Sequence, residues 1–218
     1  MNPQMEQQSF SLRGRVFLRW THWFLFIAGA VTLAWVALSL FQARLYQQSA
    51  GSALDAQVRA AQIQSAQIQP AQIQAASQLP ANLPRAIVKE GGVLGRMEIS
   101  RLGMSIVILE GTSSRTLRLG VGHIAGTAFP GEPGNIGIAG HRDSYFRALK
   151  DIRSGDEISI QTATGLSRYQ VDRVQMLEPS DIAVLAPTAI PGITLVTCYP
   201  FYFVGPAPQR FVVHAHHV

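Results

Sequence analysis

The sequence predicts a mostly β domain of the barrel type, preceded by one membrane-spanning helix. Residues 23–41 contain no charged side chain, and residues 86–218 contain seven short stretches rich in β-branched residues and bounded by turn-forming residues. Short strands at such spacing, with few and short helices between them, are typical of an all-β barrel or sandwich. The 133 residues of this second part are enough to bury one hydrophobic core.

The apolar run at residues 23–41 predicts a transmembrane helix, because at about 1.5 Å per residue it spans the ~30 Å hydrocarbon core of a bilayer. Three arginines lie shortly before the run, and Arg44 alone follows it closely. The positive-inside tendency therefore predicts residues 1–22 as a cytoplasmic tail and the large C-terminal part as extracytoplasmic. A cleaved signal peptide is the alternative. Against it, the run is longer than a usual signal-peptide core and lacks a convincing small-residue cleavage site.

Residues 42–85 predict a flexible tether between the membrane helix and the domain. They are rich in Ala, Gln and Ser, and the motif AQIQ recurs at positions 61, 66 and 71. The resulting five-residue spacing of isoleucine matches neither the helical nor the strand period. Pro70, Pro80 and Pro84 interrupt any helix that the composition allows. A flexible chain of this length has an end-to-end distance of roughly 35–40 Å.

Positive charge is concentrated ahead of the domain. Residues 1–85 hold six Lys or Arg against two Asp or Glu, whereas residues 86–218 hold twelve against eleven. The second part is therefore nearly neutral. A nucleic-acid partner is not indicated, since it would require a basic surface on the domain.

The domain at residues 86–218 has strand and helix candidates in alternation. The seven candidate strands are Arg96–Ile99, Ser105–Leu109, Asn135–Ala139, Glu157–Thr162, Arg168–Leu177, Ile193–Cys198 and Arg210–His216. The three candidate short helices are Ser114–Leu119, Ser144–Lys150 and Asp181–Leu185. Thr164-Gly165 predicts a hairpin turn between two of the strands.

The sequence has a single cysteine, Cys198, in the segment TLVTCYP. An exported domain with one cysteine has no internal disulfide, so this thiol is either packed or reactive. A packed cysteine behaves as a small hydrophobe. A reactive one needs help from its neighbours, because a neutral thiol attacks carbonyls poorly. His141, in the segment AGHR, lies 57 residues upstream, so only the fold can bring the two together.

Arg210 is predicted to face Cys198 across a β-hairpin. Strands are predicted on both sides of the turn-forming pair Gly205-Pro206. A hairpin centred near Val204 and Gly205 puts Cys198 and Arg210 opposite each other, with Cβ atoms roughly 5 Å apart. A permanent cation in that place stabilises a thiolate and can hold the oxygen of a tetrahedral intermediate.

These three residues and the segments around them resemble the sortase family, the membrane-anchored cysteine transpeptidases. The likeness extends from about Gly95 to Val213 through GVGHIAGTAFPGEPGNIGIAGHRDSYFRAL, GDEI, TLVTCYPF and QRFVV. The AGHRD block is most similar to class D sortases. The resemblance implies an eight-stranded barrel, one strand more than the seven counted above, with His141 and Cys198 at strand ends beside a surface groove.

The same resemblance implies the chemistry. Cys198 would be the nucleophile, His141 the general acid and base, and Arg210 the residue that stabilises the oxyanion and the substrate. The family cleaves a sorting motif near the C-terminus of a secreted protein through a thioacyl enzyme. An amine then resolves that intermediate, and a cell-wall peptide or a pilin lysine would supply it. The resemblance implies no cofactor.

Four further positions are weaker candidates. Thr197 resembles the family's threonine before the nucleophile, and its hydroxyl or its backbone is expected to help position the substrate carbonyl or its oxyanion. His123, in GVGHIAGT, either lines the groove or is a hydrogen-bonded structural histidine. His214 and His216 share one strand face and invite a metal interpretation, but no Cys, Asp or Glu lies near them in sequence, so no metal site is predicted.

Other functions stay open from the sequence. The L,D-transpeptidases also use an exported Cys, His and Arg, but their Arg lies two residues after the Cys, where this chain has Pro200. A membrane-tethered binding module with a packed Cys198 is the non-enzymatic alternative. A hydrolytic cysteine peptidase is the third, since nothing in the sequence explains how water would be outcompeted by an amine.

Overall fold

The computed structural model describes residues 3–66 and 88–218 of the chain. One long helix, α1 (Pro3–Ala66), precedes eight strands and a few short helical segments. The chain divides after Leu45 into two compact units, residues 1–45 and residues 46–218. The first unit therefore consists of helix, and the second combines the end of α1 with the strands.

The part of α1 in the first unit has the properties of a membrane span. Among the described residues, one helix is long and apolar enough to cross a bilayer, with a mean hydropathy of 2.3 in its most apolar window and none of that window buried. Large apolar side chains such as Trp23, Phe24, Leu33 and Trp35 are 60–73% exposed. Apolar side chains exposed all around a helix favour a lipid environment.

The end of α1 packs on the domain, which differs from the flexible tether predicted for residues 42–85. Ala50 and Leu54 are buried, and within the second unit Ala50 packs with Val107. The Gln47 amide donates to the Leu119 carbonyl and accepts from the Val107 amide at 3.0 Å. Polar and apolar contacts therefore fix this part of the helix to the domain.

The reason for this difference lies in a pattern that the AQIQ repeat obscures. Tyr46, Ala50 and Leu54 recur every four residues, which is helical spacing on one face. On the same part of the helix, Asp55 forms an ion pair with Arg96 at 3.2 Å. Residues 67–85, the rest of the predicted tether with its three prolines, lie outside the described residues.

Eight strands close into one barrel. They are β1 (Val93–Ile99), β2 (Met104–Glu110), β3 (Val121–His123), β4 (Asn135–Ala139), β5 (Glu157–Gln161), β6 (Leu166–Leu177), β7 (Gly192–Tyr199) and β8 (Gln209–His217). Their order around the barrel is β1-β2-β3-β4-β7-β8-β6-β5, and β5 pairs with β1 to complete it. The pairs β2/β3 and β4/β7 are parallel, and the other pairs are antiparallel. The predicted barrel class is confirmed.

The barrel interior is filled by aliphatic side chains that alternate along the strands. Ile136 and Ile138 of β4, Ile158 and Ile160 of β5, and Leu195 of β7 are all fully buried. Every second residue of a strand points to the same side of the sheet, so the residues between them face outward. This alternation puts Thr194, Val196 and Cys198 of β7 together on the outer face of the barrel, where Thr194 is buried and Cys198 is partly exposed.

All seven predicted strands are present, with ends that differ by no more than three residues. The eighth strand, β3, was missed because it has three residues and contains Gly122, too short and too poor in side chains for a periodic signal. The predicted helix at 114–119 is α2 (Ser114–Leu119). The other two predicted helices are 3₁₀ segments, Arg147–Asp151 and Ile182–Leu185.

Candidate active site

Cys198 and Arg210 are direct cross-strand partners on β7 and β8. The predicted hairpin register is therefore confirmed. Cys198 is partly exposed, and Arg210 is half-buried beside it. Residues directly opposite on an antiparallel pair point to the same face with Cβ atoms about 5 Å apart, so the guanidinium and the thiol share one side of the sheet.

The guanidinium of Arg210 is held by its own loop. Its Nη1 donates to the carbonyls of Ala207 at 3.4 Å and Gln209 at 3.2 Å. Within residues 3–66 and 88–218, its Nε and Nη2 make no hydrogen bond. An arginine has five N–H donors, so this arrangement leaves donors for an anionic or carbonyl oxygen near the thiol.

His141 follows β4, the strand that pairs in parallel with the strand of Cys198. Ala139 of β4 is the partner of Val196 of β7, and Gly140 continues the ladder by donating to the Val196 carbonyl at 3.2 Å. The ladder ends at this bond, and the same register extended by one residue would set His141 opposite Cys198. The imidazole is exposed, and the following turn holds the His141 carbonyl through the Phe146 amide at 3.1 Å.

Thr197 acts inside the barrel wall rather than in the cleft. It is 2% exposed, and its hydroxyl donates to the Gly140 carbonyl at 2.7 Å. This hydrogen bond binds the hydroxyl to the residue after β4, so of the two groups expected to position a substrate carbonyl or its oxyanion, the hydroxyl or the backbone, the backbone is the one left for that role. The observed contact instead links the residue before Cys198 to the residue before His141.

His123 has the surroundings of a structural histidine, the second of the two alternatives that the sequence left open for it. It is fully buried. Its Nδ1 is 2.8 Å from Glu110 Oε2, and its Nε2 is 3.0 Å from both the Ala128 carbonyl and the Thr127 hydroxyl. The ring packs at 4.4 Å on Phe129. Both nitrogens are therefore occupied within the protein, which favours the structural alternative for this residue.

A cavity lies on the outer surface along the same strands. It has a volume of about 680 Å³ and is lined by residues 183, 184 and 186–191 of the loop between β6 and β7 and by Thr194 and His214. Thr194 is four residues before Cys198 on the same face, which is about 13 Å along a strand. The cavity and the thiol therefore share a surface long enough for several residues of an extended peptide.

The three C-terminal histidines have separate surroundings. His214 Nδ1 is 3.4 Å from the Thr194 hydroxyl, and burial, followed by the positive charge of Arg173, lowers the pKa of His214. His216 Nδ1 is 2.6 Å from Asp172 Oδ1. The His217 ring is 5.4 Å from that of Tyr169. In the part of the chain that the structure describes, no three His, Cys, Asp or Glu side chains are grouped as metal ligands would be.

Two residues at or near the site escaped the sequence analysis. Arg142 binds three carbonyls of the loop after Cys198, and its only sequence signal was its place in AGHR. Glu110 binds His123 from the end of β2, 13 residues away. No periodicity connects that pair, because the pairing depends on β2 and β3 lying side by side.

Known proteins match this architecture and these motifs. The sequence profile of the sortase domain matches residues 97–218, more than half of the chain. Sortase D of Bacillus subtilis (strain 168) is 31% identical over 129 residues, which are 59% of this chain and 65% of that protein. The match therefore spans just under two thirds of this curated relative.

Solved structures agree on the fold. A sortase D5 transpeptidase of Clostridium perfringens has a TM-score of 0.60 and 25% identity, covering 79% of this chain and 98% of that one. The SrtA sortase of Actinomyces oris has a TM-score of 0.55 and 31% identity, covering 60% and 82%. Two of these three relatives are class D sortases, in agreement with the likeness of the AGHRD block. With the profile match over residues 97–218, the chain belongs to the sortase family.

Proposed function

We propose that this protein is a membrane-anchored cysteine transpeptidase that cleaves a C-terminal sorting motif and transfers the acyl part to an amine. The observation that carries the proposal is the pairing of Cys198 with Arg210. His141 supports it, because it follows by two residues the end of β4, which pairs in parallel with the strand of Cys198. The similarity to a sortase D5 transpeptidase supports the reaction class.

The first half of the reaction forms a thioester. The Cys198 thiolate attacks the scissile carbonyl, and the free N–H donors of Arg210 stabilise the negative charge that develops on its oxygen. The imidazolium of His141 gives its proton to the leaving amine as the C–N bond breaks. The acyl group is then bound to sulfur, and the C-terminal fragment leaves as a free amine.

In the second half of the reaction His141 acts as a base instead of an acid. Neutral His141 takes a proton from the incoming amine, which attacks the thioester carbonyl, and Arg210 again stabilises the oxyanion. Collapse of the intermediate expels the Cys198 thiolate and leaves a new amide. Water in place of the amine would give hydrolysis by the same steps, so transpeptidation requires that the amine reach the thioester first.

The substrate cleft would follow the outer face of β7 from Cys198 toward the cavity beside Thr194. A chain extends by at most about 3.5 Å per residue, so roughly four residues of the acyl-donor peptide separate the thiol from that cavity. A short motif recognised over this distance agrees with a peptide that docks in extended form.

The proposed anchor is the apolar part of α1, with residues 1–22 in the cytoplasm and the barrel outside. The arginine asymmetry around residues 23–41 supports this orientation. Protease added to intact membranes should digest the barrel. Digestion only after the membranes are ruptured would reverse the proposed topology.

Cys198→Ala tests the reaction directly. A library of C-terminal peptides is incubated with the full-length chain, and the protein is analysed by intact mass for a thioester-linked acyl group. We expect acylated wild-type protein and none in Cys198→Ala, because no other thiol exists in the chain. Addition of an amine should convert the adduct to an amide product.

The competing functions give different results in the same experiment. A folded binding module with a packed Cys198 should retain peptide without a covalent adduct and resist iodoacetamide until it is unfolded. A hydrolytic peptidase should release free acid at the same rate with or without the amine. Acylation of the Cys198→Ala variant would rule out the thiol as nucleophile.

A further inference from the structure

Arg142 joins the turn after β4 to the loop between β7 and β8. Its Nη1 donates to the Pro200 carbonyl at 3.0 Å, and its Nη2 donates to the carbonyls of Phe203 at 2.8 Å and Gly205 at 3.0 Å. The centre of its guanidinium also lies 5.9 Å from the centroid of the Phe203 ring. One side chain therefore gathers three carbonyls of a single loop.

Arg142 binds the backbone of a loop whose tip is exposed. Phe201 at its start packs against the barrel core. The Tyr202 ring lies 6.0 Å from the Arg147 guanidinium and 5.9 Å from the Lys150 ammonium. Tyr202 is 71% exposed and Val204 is 94% exposed. Carbonyl oxygens that converge on one point repel each other unless a cation lies between them. A guanidinium is planar and presents its donors in fixed directions, so three hydrogen bonds fix both the distance and the orientation of the loop.

A second link lies on the other side of His141. Gly140 donates to the Val196 carbonyl and accepts from the Thr197 hydroxyl, at 3.2 and 2.7 Å. The residue before His141 is thus bonded to the residue before Cys198. Through Arg142, the residue after His141 is bonded to the segment after Cys198. The histidine and the cysteine lie between two cross-links.

We propose that Arg142 is a positioning residue that fixes the separation between the His141 imidazole and the Cys198 sulfur. The inference rests on the proposed function, in which these two groups exchange protons with the substrate. Arg142 acts through the backbone segments that carry them and through the loop that borders the thiol. Such chemistry is sensitive to geometry, since a misplacement of about 1 Å can cost on the order of a hundredfold in rate.

Alkylation of Cys198 by iodoacetamide provides a test that needs no peptide substrate. The reagent is small and neutral, and its rate follows the thiolate fraction and the access to sulfur. Full-length wild type and Arg142→Ala are compared across pH. We expect the pH profile of alkylation to shift in the variant, because the imidazole is no longer held at the same distance from the thiol. With an accepted peptide, kcat should fall about tenfold to a hundredfold, with a smaller change in KM.

Arg168→Ala is the matched control. Arg168 is exposed and forms a surface ion pair with Glu157 at 3.6 Å. It lies on β6 nine residues before Leu177, which is the partner of Arg210, so it is about 30 Å along the strand from the site. Removal of its charge should leave both the alkylation profile and kcat as in wild type.

A purely structural role would give a different pattern. Arg142→Ala would then unfold at a lower temperature but keep the wild-type alkylation profile and kcat while folded, and this result would overturn the proposal. Arg142→Lys keeps the charge without the planar fork and should give an intermediate kcat. If Arg142→Ala does not fold, this variant decides, and a wild-type profile in it would overturn the proposal as well. Absence of peptide acylation in wild type would count against the proposed function alone.

Discussion

His123 and His141 both follow a glycine and lie near each other in the barrel, yet their surroundings are opposite. His123 ends β3 opposite Ile138 of β4, and His141 lies only three residues beyond Ile138. His123 is fully buried with both ring nitrogens bonded inside the protein, whereas His141 is exposed next to the strand that carries Cys198.

The difference teaches that the sequence context of a histidine says less about its role than its hydrogen-bond partners do. The Ala128 carbonyl can only accept, so Nε2 of His123 carries a proton, and Nδ1 faces the Glu110 carboxylate. A ring with both positions occupied stabilises the fold. The ring of His141 is exposed, as the proposed function requires of a group that exchanges protons with a substrate.

Replacement of each histidine by alanine is expected to give the largest and clearest contrast. His141→Ala should lower kcat about a thousandfold, because it removes the general acid and base, and leave the unfolding temperature nearly unchanged. His123→Ala should lower the free energy of unfolding by about 3 kcal/mol, because it leaves Glu110 without its partner. Peptide turnover and thermal unfolding are measured on both variants.

The contrast between the two histidines would be wrong if His123→Ala lowered turnover and His141→Ala did not. A His123→Ala variant that keeps its stability but loses turnover per folded molecule would make His123 a member of the active site. A His141→Ala variant with undiminished kcat would remove His141 from the proposed mechanism.

Arg210→Ala should give the next largest effect. Like His141→Ala, it should lower catalysis rather than stability. The loss of an oxyanion donor costs about 2 kcal/mol, or roughly thirtyfold in kcat/KM. Arg210→Lys retains the charge and should recover part of this loss. Steady-state kinetics of the two variants measure it, and an Arg210→Ala variant with wild-type kcat/KM would leave the cross-strand pair without a catalytic role.

The Cys198 and Arg210 pair could be predicted because it depends only on local rules. Two strand patterns flank one turn, and the centre of that turn fixes which residues are opposite. His141 needed more than this, since the parallel pairing of β4 and β7 joins segments that are 57 residues apart. Its proposed role came from the resemblance of AGHR and TLVTC to one family.

The features that the sequence did not predict share a different cause. The packing of the end of α1 depends on three moderately apolar residues at helical spacing, Tyr46, Ala50 and Leu54. Such a short pattern indicates a buried face only when the residue that it packs against, Val107, is known. The three hydrogen bonds of Arg142 go to backbone carbonyls. Every residue has such a carbonyl, so no pattern of side chains in the sequence predicts these contacts. Tertiary polar contacts to backbone leave little trace in one sequence.

Variants of Glu110 test the structural role of His123 through its hydrogen-bond partner. Glu110→Ala should lower the free energy of unfolding by about 1.5 kcal/mol, because His123 Nδ1 loses its partner in a buried place. Glu110→Gln offers an oxygen and an amide of similar reach and should lose less. Neither variant should change kcat, and a large loss of turnover in folded Glu110→Gln would connect His123 to the active site after all. Denaturant unfolding and kinetics provide the two measurements.

Asp156 should give the smallest effect, confined to a range of pH. The carboxylate is buried, and Arg101 donates to its two oxygens at 2.5 and 2.6 Å, while the Arg153 amide donates at 2.8 Å. The hydrogen bonds from Arg101 lower the pKa of Asp156 below its ordinary value of 3.8.

A folded-state pKa below the unfolded one means that Asp156 stabilises the protein above pH 3.8, and that this contribution is lost as the pH falls through the lower, folded value. Asp156→Asn should therefore unfold at a lower temperature than wild type near neutral pH, and the two melting temperatures should converge as the solution is acidified below the ordinary carboxyl range. Like His123, Asp156 has its hydrogen-bonding positions filled by the protein, so kcat at neutral pH should be unchanged. A difference in melting temperature that stays constant down to the lowest pH would mean that the amide disturbs packing rather than removing a charge held by Arg101.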